Sequence, residues 1–199
     1  SWPVIASSQV PDADMTAMAV QALAPYYENA QVKAAVDAAL TFLAGVQNDD
    51  ATFSEIPGTD ASAEACAQVI VALTALGIDP ATDSRFVKNG MTALDALASF
   101  YVDGGGFRHT ASGELDGMAT EQGYYALAAY YRLLAQKTSL YDMSDVTVTV
   151  TPDQPVTPTK PEKPDTPRTG DESLLVLWMG AAALSGAAVL LMQRKKKRA

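Results

Sequence analysis

The chain of 199 residues carries one cysteine and one histidine, Cys66 and His109, and that scarcity decides much of the available chemistry. No intrachain disulfide can form, and a closed structural zinc site of four Cys/His ligands has too few donors. An internal thioester needs a glutamine three residues after the cysteine, where this chain has Val69. A Ser-His-Asp arrangement would rest on His109 alone, which sits beside Arg108 on a Gly-rich loop, a place where histidines are usually solvated. Two carboxylates, Asp12 and Asp14, precede an apolar run, as expected of a helix N-cap whose side chain accepts backbone N–H bonds. Paired tyrosines, Tyr26-Tyr27, Tyr124-Tyr125 and Tyr130-Tyr131, fall on expected helices. Neighbours there point about 100° apart, so one of each pair can pack while the other faces a rim or cavity.

These residues belong to the first of three dissimilar segments. Residues 1–145 carry a net charge of −12, residues 146–172 carry −2, and residues 173–199 carry +5, giving the overall −9. Six scattered bases in the first segment form no basic footprint, which argues against a nucleic-acid partner and against peripheral binding to anionic lipid. No basic leader and apolar core opens the chain, so Ser1 is expected to continue an upstream sequence.

The first segment repeats itself. Residues 15–23 (MTAMAVQAL), 65–73 (ACAQVIVAL) and 119–127 (ATEQGYYAL) align without gaps at offsets of 50 and 54. Between them, 39–53 (ALTFLAGVQNDDATF) and 93–107 (ALDALASFYVDGGGF) match at an offset of 54, placing Leu40, Leu43, Asp49 and Phe53 on Leu94, Leu97, Asp103 and Phe107. Steps of three and four, as in Val32, Val36, Leu40 and Leu43, line one helix face. Helices are expected at about 14–27, 32–46, 62–77, 85–101 and 117–135, closed by Pro25, by Gly77 with Pro80, and by Gly104-Gly105-Gly106.

These hairpins of about fifty residues resemble the terpenoid cyclase and protein prenyltransferase toroids, with Gln47-Asn48-Asp49-Asp50-Ala51-Thr52-Phe53 and Val102-Asp103-Gly104-Gly105-Gly106-Phe107 at the family's turn signature. The resemblance covers about residues 12–142 and implies an all-α fold, a partial (α/α) toroid of helical hairpins over residues 1–145. It also implies two candidate chemistries. Asp12-Ala13-Asp14-Met15-Thr16 resembles the cyclase acid motif, with Asp14 as the proton donor and Met15 in place of a third aspartate. Alkene protonation there needs an unusually strong acid. Glu64, Cys66 and His109, with Asp60 as a spare carboxylate, resemble the prenyltransferase zinc ligands, although glutamate replaces aspartate. Cys66 on an apolar helix face also reads as a small core residue.

Within the second segment, the Pro-rich stretch 146–169 places Pro152, Pro155, Pro158, Pro161, Pro164 and Pro167 at every third residue. That period matches polyproline II, a semi-rigid stalk of about 68 Å for residues 147–168. Residues 174–192 form an uncharged apolar run of about 28 Å as a helix, enough for a membrane span. Arg194-Lys195-Lys196-Lys197-Arg198 follows, which places the tail in the cytoplasm and the rest outside. Thr166-Pro167-Arg168-Thr169-Gly170 stands just before it, and residues 166–199 together resemble the cell-wall sorting signal of Gram-positive surface proteins. Thr166 takes the place of the usual leucine. The resemblance implies sortase attack at the Thr169 carbonyl, release of Gly170 onward, and attachment to peptidoglycan.

The expected protein is therefore wall-anchored, with its toroid serving binding or adhesion toward a small molecule, glycan or peptide, and with no cofactor. The rival is an enzyme of cyclase or prenyltransferase descent. Gathering of Asp12, Asp14, Cys66 and His109 around one cavity favours the rival; their dispersal favours binding.

Overall fold

The computed structural model describes residues 1–3 and 10–147. The stalk expected beyond residue 147, the stretch Thr166 to Gly170 that resembles a sorting motif, and the apolar run 174–192 lie outside the described residues. Among those described, no helix is long and apolar enough to cross a membrane.

Among the described residues five helices carry the fold: α1 (Ala13–Leu23, continued by a 3-10 turn at Ala24–Tyr26), α2 (Ala30–Val46), α3 (Ala63–Ala75), α4 (Ala93–Ala98) and α5 (Gly117–Leu134). A small antiparallel sheet, β1 (Tyr101–Val102), β2 (Gly106–Arg108) and β3 (Leu115–Asp116), is ordered β1-β2-β3. Every residue of α3 except Ala75 is buried, with α1, α4 and α5 packed around it. Its alanines and single cysteine leave room for that close approach.

Four helices lie near their expected positions, and the fourth differs. The helix expected over 85–101 shrinks to Ala93–Ala98. The cause is local competition. The Asp79 carboxylate accepts from Ala81 N–H at 2.8 Å, and Asp83 accepts from Arg85 N–H at 3.0 Å, so both side chains fold the backbone into turns. Thr92 and Asp95 then form a reciprocal capping box that starts the helix late. The sheet adds strand to an expectation of helices alone; Gly104 and Gly105, at φ +97° and +145°, turn β1 into β2.

The repeat extends to individual hydrogen bonds. Asp12, Ser62 and Asp116 cap α1, α3 and α5, accepting from Met15, Ala65 and Ala119 N–H at 2.8, 3.1 and 2.9 Å. One turn on, Thr16 Oγ1, Cys66 Sγ and Thr120 Oγ1 accept the N–H of Trp2, Phe53 and Phe107 at 2.9, 3.4 and 3.0 Å. Ala13 N–H donates to Glu55 O and Ala63 N–H to His109 O, the same bond one repeat apart, at 2.7 and 3.0 Å. In each repeat, then, an aromatic residue is tied by its backbone to the first turn of the next α1-, α3- or α5-type helix. Phe53 and Phe107 are buried by that tie. Gly123 on α5 leaves the Phe107 ring its place, since a Cβ there would lie 2.4 Å from the ring.

Candidate functional site

The N-terminal ends of α1 and α3 bring Asp14, Glu64, Glu55 and His109 into one neighbourhood. Asp14 and Glu64 occupy the same repeat position, two residues past the caps Asp12 and Ser62, and α5 has exposed Met118 there. Glu55 and His109 are likewise equivalent, each two residues past the tied phenylalanine. The backbone bonds from Ala13 and Ala63 hold these two residues against the helix starts.

Chemically the two halves differ. Glu64 is buried, and its Oε2 lies 2.9 Å from Nδ1 of the half-exposed His109. That hydrogen bond raises the imidazole's affinity for its proton, burial opposes it, and Glu55 and Asp116 add smaller attractions. Asp14 has no such partner: its Oδ1 is buried without a hydrogen bond. Burial first, then the charges of Glu55, Asp12 and Glu64, push its carboxyl up to about 7, while His109 pulls it the other way. Near neutral pH this neighbourhood therefore holds a carboxylic acid that exchanges a proton near a glutamate hydrogen-bonded to histidine. Such an arrangement can donate a proton or hydrogen-bond a polar ligand group.

The sequence singles out six residues, Asp12, Asp14, Asp60, Glu64, Cys66 and His109, and the structure sorts them. Asp12 is the α1 cap and spends its carboxylate on Met15 N–H. Asp14, Glu64 and His109 come together. Cys66 does not join them: it is fully buried, burial pushes its thiol up to about 12, and its sulfur accepts the Phe53 N–H. Lying two positions after Glu64 on a helix, it projects to a different side. Asp60 lines a separate cavity of about 330 Å³ with Asp50, Thr52 and Ser99. Among the described residues no group of three or more His, Cys, Asp or Glu side chains is placed to hold a metal ion.

Sequence reasoning passed over Glu55. The signal was present, because Glu55 falls on His109 at the 54-residue offset. A polar chain across α1, α3 and α5 was also missed: Gln21 Nε2 donates to Gln68 Oε1 at 2.8 Å, and Gln68 Nε2 donates to Gln122 Oε1 at 3.0 Å and to Tyr125 Oη. Gln68 and Gln122 are repeat equivalents. The tyrosine pairs divide as expected: Tyr27 bonds Asp37 while Tyr26 is exposed, Tyr125 joins the glutamine chain while Tyr124 is exposed, and Tyr130 packs while Tyr131 is exposed.

No protein-family model, no curated protein and no solved structure matches the chain.

Proposed function

We propose that the chain is a wall-anchored surface protein whose helical repeats, a partial (α/α) toroid, display a binding surface on a proline stalk. The observation that carries this reading is the order of three features in the sequence. Thr166-Pro167-Arg168-Thr169-Gly170 precedes the apolar run 174–192, and five consecutive bases, Arg194 to Arg198, follow it. The partners are a sortase, which cleaves after Thr169, peptidoglycan, which receives Thr169, and the membrane, which holds the precursor through 174–192. The repeat domain supports binding rather than catalysis at two positions: Asp12 caps α1 and Cys66 accepts a core N–H, so neither is free to act on a substrate.

Mass spectrometry of muramidase-released wall fragments tests this reading. The expected C-terminal peptide ends at Thr169 joined to a peptidoglycan amine. A mature protein that retains residues 174–192 overturns it in favour of a permanent single-pass anchor.

One observation favours a second reading, an enzyme of cyclase descent: Asp14 is a buried acid with a carboxyl near 7, beside the Glu64–His109 pair. That value makes it a good proton shuttle and a poor alkene acid, which needs a far lower pKa. Incubation of the full chain with polyprenyl substrates decides the matter. Product that vanishes in Asp14→Asn supports the enzyme, and absence of product in both sinks it.

A further inference from the structure

Beyond α5 the chain turns back on itself. Gln136, at φ +52°, reverses it, and Lys137 N–H closes the turn on Arg132 O at 2.9 Å. Among the described residues, no backbone-to-backbone hydrogen bond joins 138–147 to a helix or strand. What holds this stretch is chiefly one side chain. Arg132, buried although charged, donates from Nε to Thr138 O at 2.7 Å, and from Nη2 to Thr138 Oγ1 at 2.8 Å and to Asp145 Oδ1. Thr138 Oγ1 in turn lies 2.7 Å from Asp145 Oδ1 and beside Asp142 O. The two ends of the loop 138–145 thus meet at one guanidinium, as in an Ω-loop. Leu140 adds an apolar contact with the core.

The loop forms part of the wall of a cavity. Ser139, Tyr141 and Asp142 line it together with Gln21 and Pro25 from the end of α1 and Ala75 from the end of α3, around a volume of about 270 Å³. A buried ion pair adds little net stability but loses heavily when one partner is removed, so the Arg132–Asp145 pair sets the loop's position more than its strength. With no ladder of backbone bonds behind it, the loop can open without the helices unfolding. We infer that residues 138–145 are a strap, fastened at Arg132, that covers this cavity and swings away when the fastening is released. The occupant is a small uncharged or cationic molecule, since the lining is apolar at Pro25, Ala75 and Tyr141 and its one charge is the Asp142 carboxylate. Such a strap acts within the repeat domain and is independent of wall anchoring.

Thiol labelling of the full chain in detergent micelles, with modified positions read by peptide mapping, tests the strap. Ala75→Cys reports from the cavity, Ala34→Cys from the exposed side of α2, and Cys66 from the core. Asp145→Ala and Arg132→Met each release the fastening. Both should raise labelling at position 75 by roughly tenfold or more, as for loss of a charge-assisted hydrogen bond, while position 34 keeps its rate and Cys66 stays unlabelled. A cationic methanethiosulfonate should label position 75 faster than its anionic analogue, and Asp142→Asn should narrow that difference. Unchanged labelling at position 75 in both variants overturns the strap. So does labelling of Cys66 in step with position 75, which would mean that the whole domain loosens. A reagent preference that Asp142→Asn leaves as it was overturns the choice of occupant. The readout needs neither sortase nor wall, so its failure is distinct from failure of the anchoring reading.

Discussion

The starts of α1 and α3 are the same structure carrying different chemistry. Both have a side-chain cap, a backbone bond from the first helical residue to the loop that leads into the next helix of its kind, and an acceptor at the fourth position past the cap that ties down an aromatic residue. They differ two residues past the cap. Glu64 faces a histidine and is paired, while Asp14 faces a glutamate and is not. The shared positions use polar atoms to satisfy backbone groups, which any copy of the hairpin must do. The differing position is free of that duty, and only there does a carboxyl depart far from its ordinary range. Residues able to do chemistry are thus found where the repeat stops imposing a role.

The strongest way to break this comparison is to remove a tied aromatic residue. Phe53 is fully buried. Phe53→Ala is expected to cost about 3–5 kcal/mol, from lost transfer energy and the cavity left behind. Urea unfolding measures it. A loss under about 1 kcal/mol would mean the tie between loop and helix is ornamental.

Asp14→Asn sharpens the difference between the two starts. Because the folded carboxyl titrates near 7 and an ordinary aspartate at 3.8, the folded state holds this proton more tightly than the unfolded chain does. The associated stability is fully present below about pH 4 and is lost as pH rises through about 7, on the order of 4 kcal/mol as an upper bound because the site keeps some water. His109, also raised, acts with the same sign and is lost as pH rises through its own folded value. Asp14→Asn is therefore expected to be nearly neutral at about pH 4 and stabilising by about 2–3 kcal/mol near pH 8, leaving only the shallower His109 slope. Urea midpoints across that range check it, and an unchanged slope would show that Asp14 is well solvated.

Asp12→Ala tests the shared half. Loss of the carboxylate leaves Met15 N–H without its acceptor and is expected to cost about 1 kcal/mol. A variant that instead removes the pH dependence assigned to Asp14 would merge the two roles.

How much of this was legible in the sequence follows the same division. The repeat and four helices could be read because alanine-rich amphipathic runs bury one face wherever they occur, and offsets of 50 and 54 align them without gaps. The helix expected over 85–101 failed because Phe86, Leu94 and Leu97 supply apolar residues in helical steps, while the Asp79 and Asp83 turns that stop it are single side-chain bonds. The strands of the sheet, two or three residues each, are too short for an alternation to register. At the site, Asp14 is read with Asp12 as an acid motif, and Glu64 and His109 with Cys66 by spacing along the chain, whereas the structure sets Asp14 near Glu55 and the Glu64–His109 pair. Spacing cannot show that Glu64 and Cys66 face different sides; the repeat can, since Cys66 falls on Thr16 and Thr120.

That last equivalence gives the smallest predicted effect and the finest test. If Cys66 serves as the acceptor for Phe53 N–H, threonine, which does this work at positions 16 and 120, should replace it. Cys66→Thr trades a weak sulfur acceptor for an oxygen and adds little volume, so the expected change is under about 1 kcal/mol. Cys66→Ala removes both the volume and the acceptor, leaving a buried N–H unpaired, and should cost about 1–2 kcal/mol more than threonine does. The order of the two variants matters more than either value. A zinc or thiol role predicts the reverse, with threonine as damaging as alanine and wild-type melting temperature rising on addition of zinc. If unfolding midpoints put threonine above alanine and zinc leaves the wild type unmoved, Cys66 belongs to the shared half of the repeat, and the chemistry of this domain rests with Asp14 and the Glu64–His109 pair.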